Sequence, residues 1–260
     1  MEKKKTKKKL LKIILFSTGS LILLFILSFI PTLSLKTSDM KSIDGEWITV
    51  YYEKEEAAAR DVFEWVEVES ERVARALGFE LPQGVDLYIY DSQKTFQTKK
   101  YGLTALLLNL DWYVGDNRGT RAMLTSPVDP GMHSYDSIKY ETSVHEIIHA
   151  YNYVLNSNMP LWINEGLAGY LSNQNPQEWG FNPLQWHIPT LKQTRVSNPI
   201  TFSNIGGYPF SYTYIEYLDK IYGWDNVLIL AETNNFNEAF GKDEISIYDE
   251  WVEFLRAIDD

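Results

Sequence analysis

The chain has no cysteine and only four histidines in 260 residues. The first absence excludes disulfides and every cysteine-based zinc finger, so any metal must rest on imidazole and carboxylate. It also removes thiol oxidation as a hazard outside the cytoplasm, without naming a compartment. Basic residues are scarce beyond the N-terminus. The first twelve residues hold seven of the 24 lysines and arginines and one of the 35 acidic residues, which leaves 17 against 34, a net charge of −17. So acidic a remainder excludes nucleic acid as a partner, because phosphate binding needs clustered Lys and Arg. Internal repeats are lacking, as is any Asn-x-Ser/Thr acceptor, and the latter favours a bacterial surface over a glycosylating secretory pathway. Apolar material is plentiful: 45% of residues are hydrophobic and 14% aromatic, enough for a large core. The length suits one domain plus an appendage.

The appendage is N-terminal. Residues 1–12 form a basic tail, and Ile13 to Ile30 then run eighteen residues without a charge. With Pro31 to Leu33 this is long enough to cross a hydrocarbon core of about 30 Å. A cleaved signal peptide is the competing reading, but its apolar region is usually shorter and ends in a small-residue cleavage site that is not evident here. A core helix fits poorly, because the apolar residues surround the helix and polylysine flanks it. The sequence thus predicts a single-pass anchor over 13–33, its lysines cytoplasmic and the remainder outside the cytoplasm. A polar linker over 34–46 leads to a folded domain over 47–260.

Two of the four histidines fall in His145-Glu146-Ile147-Ile148-His149. On a helix, H-E-x-x-H sets two imidazoles one turn apart on one face, where both can grip one Zn²⁺. The intervening glutamate can take a proton from a metal-activated water. Val144, Ile147, Ile148, Tyr151 and Val154 supply the apolar stripe such a helix needs. A catalytic zinc wants three protein ligands and an open position. Glu165, sixteen residues beyond His149 in Trp162-Ile163-Asn164-Glu165-Gly166, is the candidate third ligand. Pro160 suits the start of its helix, with Leu161, Ile163, Leu167 and Leu171 as packing positions. Gly166 and Gly169 leave little bulk, which would let this helix approach the first closely. The plain alternative is a helix carrying two ordinary histidines.

Val-His-Glu-Ile-Ile-His-Ala (144–150) together with Pro-Leu-Trp-Ile-Asn-Glu-Gly-Leu-Ala-Gly-Tyr-Leu (160–171) resembles the gluzincin metallopeptidases, specifically their compact peptidase MA-like domain. Weaker similarities are Ile48–Glu53 with the helix ending at Leu77-Gly78-Phe79, the Tyr208 to Gly223 segment, and Ala239-Phe240-Gly241 before Trp251. The resemblance covers roughly residues 45 to 258. It implies an α+β, thermolysin/gluzincin-like domain with an N-terminal mixed sheet and a helical C-terminal half. It implies Zn²⁺ held by His145, His149 and Glu165, with Glu146 as general base for hydrolysis of a peptide or protein substrate. An oxyanion donor completes such a site, and Tyr208 and His187 are the two candidates. A sheet edge beside the metal usually pairs with extended substrate. Arg121 to Thr125 is either that edge or an internal strand. The glycine-led G-x-M-E-N segment of the family's aminopeptidases is missing, which favours endopeptidase action. A non-catalytic binding or sensory module on the same fold is the alternative function.

Elsewhere, alternation predicts strands over Trp47 to Tyr52 and Val85 to Tyr90. Leu106 to Val114 and Arg121 to Thr125 are further strand candidates around the turn residues 115–119. Phe63, Val66, Val73 and Leu77 mark a helix ending near Gly78. Residues 173–206 show no clear period. Helices are expected over Tyr212 to Ile221, Asp225 to Thr233 and Ser246 to Ile258. Strands first and helices after predict the α+β class.

Overall fold

The computed structural model describes residues 2–108 and 110–257, with side chains from Leu11 onward. The predicted end of the last helix, Ile258, lies outside the described residues. Helix α1 (Glu2–Leu27) and a 3₁₀ turn (Ile30–Leu33) come first, and Leu11–Leu33 forms one stretch apolar enough to cross a membrane, with a mean hydropathy of 2.6 and no burial against the rest of the chain. A mixed α+β domain with one sheet and mostly helical content follows.

The sheet contains β1 (Lys41–Asp44), β2 (Ile48–Tyr52), β3 (Val85–Tyr90), β4 (Gly115–Arg118) and β5 (Arg121–Thr125) in the order β1-β2-β3-β5-β4. The central strands β2, β3 and β5 are parallel, and β1 and β4 are antiparallel outer strands. Alternation divides the two faces. Val85, Leu87 and Ile89 of β3, with Ala122 and Leu124 of β5, join the main core. Tyr88, Tyr90 and Met123 pack with Phe96 on the other face. Helix α2 (Glu56–Ala76) connects β2 to β3 and buries Ala59, Val62, Val66 and Val73, a three- and four-residue spacing that ends where Gly78 takes φ +82°. Helix α3 (Gln93–Tyr101) follows β3.

Three expectations about the sheet need correction. Lys41–Asp44, expected in the linker, is a strand paired with β2. Leu106–Val114 is no strand. Residues 102–107 form a 3₁₀ helix after the left-handed Gly102 (φ +65°), and most of its leucines are exposed instead of filling a core. The expected turn 115–118 is strand β4. Of the two readings of Arg121–Thr125 the internal strand holds: it lies between β3 and β4, so the outer strand at this side of the sheet is β4.

The second half is helical. A π-helical turn (Ser137–Thr142) leads into α4 (Ser143–Leu155), which is followed by α5 (Leu161–Leu171). Two single turns (Pro176–Trp179 and Pro183–Gln185) and the short helices α6 (Leu191–Thr194) and α7 (Pro199–Asn204) fill the stretch that lacked a period. Three of these four begin at Asn-Pro. The Asn175, Asn182 and Asn198 side chains each accept a backbone N–H from the turn they open, and proline fits the first helical position. Helices α8 (Gly207–Tyr222), α9 (Trp224–Thr233), α10 (Phe236–Phe240) and α11 (Glu244–Ala257) complete the chain. They form a second core around Trp162, Phe210, Tyr214, Trp251 and Leu255. Helix α5 lies between the two cores, giving Ala168 and Leu171 to the first and Trp162, Ile163 and Leu167 to the second. Gly166 serves the second of these contacts, not the approach to α4 expected from sequence. A Cβ there would lie 2.6 Å from the Ser211 carbonyl oxygen of α8, and Gly169 likewise faces Tyr212.

Candidate metal centre

Helix α4 is buried around most of its circumference. Val144, Ile147, Ile148 and Tyr151 join the main core, which leaves the His145–His149 face toward α5. Its approach is fixed from α2, where Asp61 accepts hydrogen bonds from Lys139 Nζ (2.7 Å) and Tyr135 (2.8 Å) of the segment leading into α4.

The structure brings His145, His149 and Glu165 together. The two Nε2 atoms are 3.1 Å apart, and Glu165 Oε2 lies 3.3 Å from that of His145 and 3.5 Å from that of His149. All three residues offer donor atoms within 4.8 Å of one another. Ligands about 2.0–2.1 Å from a tetrahedral ion stand about 3.3–3.4 Å apart, so the three separations suit one ion at their centre. Glu165 Oε2 is buried without a hydrogen-bond partner, although both imidazoles face it. A buried carboxylate oxygen in that position fits a cation. The residues present therefore fit a metal held by two imidazoles and a carboxylate.

The far side of each imidazole is also held. His145 Nδ1 is 3.0 Å from Gln174 Oε1, and His149 Nδ1 is 3.0 Å from Asn164 Oδ1. An amide oxygen can only accept, so each Nδ1 carries a proton, and Nε2 is the atom each imidazole presents to the cluster. Asn152, one turn beyond His149, donates to Asn164 Oδ1 (2.8 Å) and fixes its amide. The sequence analysis singled out neither Gln174 nor Asn152. The i, i+3 spacing from His149 to Asn152 was a usable signal, whereas nothing local marks Gln174.

Charge is unevenly distributed over the cluster. Burial holds His145 below its ordinary value, Glu165 partly offsetting it and the His149 charge adding to it. Burial also opposes a charge on His149, but Glu165 outweighs it and raises His149 to about 9. Burial would raise Glu165, yet the His149 charge and the two imidazoles that face it keep it well below the carboxylate range. Glu146 is buried beside them. Burial pushes it up to about 8, with Asp116 and Glu165 adding and His149 and Lys100 opposing. A cation at the cluster would pull it back down.

Strand β4 packs on α4 beside Glu146. A Cβ on Gly115 would lie 2.6 Å from Glu146 Oε1 and 2.8 Å from Thr142 Cγ2, so only glycine lets the strand come this close. Next to it, Asp116 pairs with Lys100 Nζ at 2.6 Å and accepts from the Tyr113 hydroxyl. Tyr208, in the first turn of α8, is 44% exposed and edge-on to Phe202. Its hydroxyl is raised well above the ordinary phenol value by burial first and then by Glu165, Glu146 and Asp116. His187 is exposed in the loop before α6, and no hydrogen bond among the described residues links it to the cluster.

No family model matches the chain. No curated protein matches it either. Among solved structures it is similar to yeast LTA4 hydrolase in complex with bestatin, at a TM-score of 0.47 and 16% identity over 85% of this chain and 38% of that one. Similarity to the native form of the same yeast protein has a TM-score of 0.44 and 18% identity over 83% of this chain and 36% of that one. The chain thus spans less than two fifths of the length of these solved proteins.

Proposed function

We propose that the protein is a membrane-anchored, zinc-dependent peptidase of the gluzincin type, its catalytic domain outside the cytoplasm. The convergence of His145, His149 and Glu165 on one point, with Glu146 buried beside them, carries this reading. A bound Zn²⁺ would supply Lewis-acid polarisation of the scissile carbonyl and an acidified water. Glu146 takes the proton of the attacking water and passes it to the departing amine, the work of a carboxylate positioned by helix α4. Tyr208 Oη donates a hydrogen bond to the oxygen that gains charge in the transition state. The outer strand β4 offers its backbone to an extended peptide, which favours cleavage within a chain. For the anchor, the apolar length of Leu11–Leu33 and the lysine-rich flank support a span with the N-terminus cytoplasmic.

The test is hydrolysis of a mixed peptide library by the zinc-loaded protein. Glu146→Gln keeps the shape of the side chain without its basicity. It should retain one zinc and lose about 10²–10⁴ of the turnover. Tyr208→Phe should lower kcat about tenfold to a thousandfold with KM little changed. Undiminished turnover in folded, zinc-loaded Glu146→Gln would sink the mechanism. Full activity of Tyr208→Phe beside an inactive His187→Ala would move the donor to the 173–206 stretch.

A further inference from the structure

The segment between α3 and β4 turns its apolar side chains outward. Leu103, Leu106, Leu107, Leu108 and Trp112 are all exposed, Leu107 to 87% and Trp112 to 59%. From Tyr101 to Leu110 the sequence carries no charge. A run of exposed apolar side chains of this kind marks a surface that meets another apolar phase. The backbone beneath it is fixed: Lys94 Nζ donates to the Leu108 carbonyl (3.3 Å), and Gln97 Nε2 donates to that of Leu110 (2.8 Å). The leucines are therefore displayed from a supported scaffold.

What covers them follows from their place beside the N-terminal helix. The Leu103 N–H donates to the Ser28 carbonyl at 2.7 Å. A Cβ on Gly102 would lie 2.5 Å from that same oxygen and 3.0 Å from Phe29 Cα, so the two backbones are in direct contact. Ser28 and Phe29 lie inside the apolar stretch Leu11–Leu33, short of its end. Any apolar phase that takes up this stretch to Leu33 must therefore reach the level of Gly102 and Leu103. Further along, Arg118 Nη1 donates to the Thr32 carbonyl (2.6 Å), which puts a cation where the span leaves the lipid.

We propose that Leu103, Leu106, Leu107, Leu108 and Trp112 insert into the outer face of the bilayer that α1 crosses, forming a second, monotopic membrane contact that fixes the orientation of the domain. The proposal rests on the reading of α1 as a span. Leucines belong in the acyl boundary, and a tryptophan at the rim of the patch suits the headgroup level. The contact also positions the cleft. Tyr101 opens the apolar segment and packs 5.4 Å from Tyr113, whose hydroxyl donates to Asp116 on the cleft wall. The rim of the cleft is thereby held at headgroup level, and polypeptide segments lying close to the membrane are the substrates it can reach.

A chain without cysteine gives a single labelling site for each cysteine introduced. Leu107→Cys, Tyr101→Cys, Ile22→Cys and Glu232→Cys in the full chain would each carry a nitroxide. The proteins are reconstituted in phosphatidylcholine–phosphatidylglycerol vesicles, and collision with oxygen is compared with collision with a water-soluble nickel chelate. Ile22 reports the span, and Glu232, exposed on α9, reports solvent. Leu107 should match Ile22 in oxygen preference, and Tyr101 should fall between Leu107 and Glu232. A lipid-facing Ile22 with a nickel-accessible Leu107 would overturn the second contact and leave the span standing. Nickel access at both would overturn the span and the proposal together. A Leu107 label immobilised and shielded from both reagents would show a protein partner on the patch and also overturn the proposal. Full nickel access at Tyr101 with Leu107 in lipid would overturn the placement of the cleft rim.

Discussion

At the scale of single residues, the candidate centre depends as much on two amides as on its three donors. Gln174 and Asn164 each occupy the Nδ1 side of one histidine, which turns Nε2 toward the ion's position. Gln174→Ala should lower zinc affinity by about 10–100-fold, in line with other residues that orient metal ligands. Asn164→Ala should do the same and also destabilise the domain by about 1 kcal/mol, because buried Asn152 loses its 2.8 Å hydrogen bond and keeps only the 3.3 Å one to the backbone carbonyl of residue 164. Chelator competition and urea unfolding measure the two effects, and a Gln174→Ala protein with parental affinity would refute the orienting role. The protons of the site give a second prediction. His149 is raised to about 9 from an ordinary 6.5. Its contribution to stability in metal-free protein is complete below about 6.5 and lost as pH rises through about 9. Glu146, raised to about 8 from 4.5, has the same sign, its contribution fading as pH rises through about 8. Glu165 is depressed, so its contribution is present above 4.5 and lost only in acid. The Tm of metal-free protein should therefore fall between pH 6 and 9. Metal binding takes the proton from His149 and lowers Glu146, so zinc should release between one and two protons at pH 7. Thermal unfolding with and without zinc, and calorimetry in buffers of different ionisation enthalpy, measure both. A metal-free Tm that rises over this range would contradict the charge distribution.

At the scale of elements, two glycines mark approaches that a methyl group would block. Gly115→Ala would press β4 away from Glu146 and Thr142 of the cleft. Turnover should fall at least tenfold while zinc binding persists, since the three candidate donor residues lie on α4 and α5. Gly166→Ala would meet the Ser211 backbone oxygen of α8 and should destabilise the domain by about 1–3 kcal/mol, read by denaturant midpoint. Parental turnover in the first variant or parental stability in the second would remove the respective contact from the argument. The same elements explain what was legible in the sequence. Strands β3 and β5 were readable to the residue, because both faces of the sheet are buried there and alternation or a continuous apolar run survives. Strands β1 (Lys-Ser-Ile-Asp) and β4 (Gly-Asp-Asn-Arg) were invisible, because an outer strand is specified by its neighbour and carries little apolar pattern of its own. Leu106–Val114 misled for the opposite reason, its hydrophobicity having no place in the core. The cluster itself was legible because two ligands share one turn of helix and the third lies on the next helix. Gln174 was not, since its part depends on the fold beyond α5.

At the scale of the whole molecule, the segment read as a linker works as a strap. Lys99 is buried, and its Nζ donates to the carbonyls of Ser34 (2.9 Å) and Lys36 (3.2 Å). Buried Tyr90 donates to the Leu35 carbonyl (2.8 Å) between them. The strap then enters β1, so the chain leaving the apolar helix is tied to α3 and the sheet before it can act as a free tether. Burial lowers the pKa of Lys99, Glu53 partly opposing, so the ammonium depends on these carbonyls for the hydration it has given up. Two truncations separate strap from anchor. A protein beginning at Ser34 loses the apolar stretch and keeps all three acceptors, so it should unfold close to the parent domain. One beginning at Lys41 retains β1 but strands the Lys99 ammonium and the Tyr90 hydroxyl. It should be less stable by about 2–5 kcal/mol, since unpaired buried groups cost about 1–3 kcal/mol each and more when charged. Lys99→Met in the second protein should recover part of that loss, because an apolar side chain has no need of the missing carbonyls. Denaturant unfolding of the three proteins decides the matter. Equal stability for the Ser34 and Lys41 proteins would show that the segment is a passive tether.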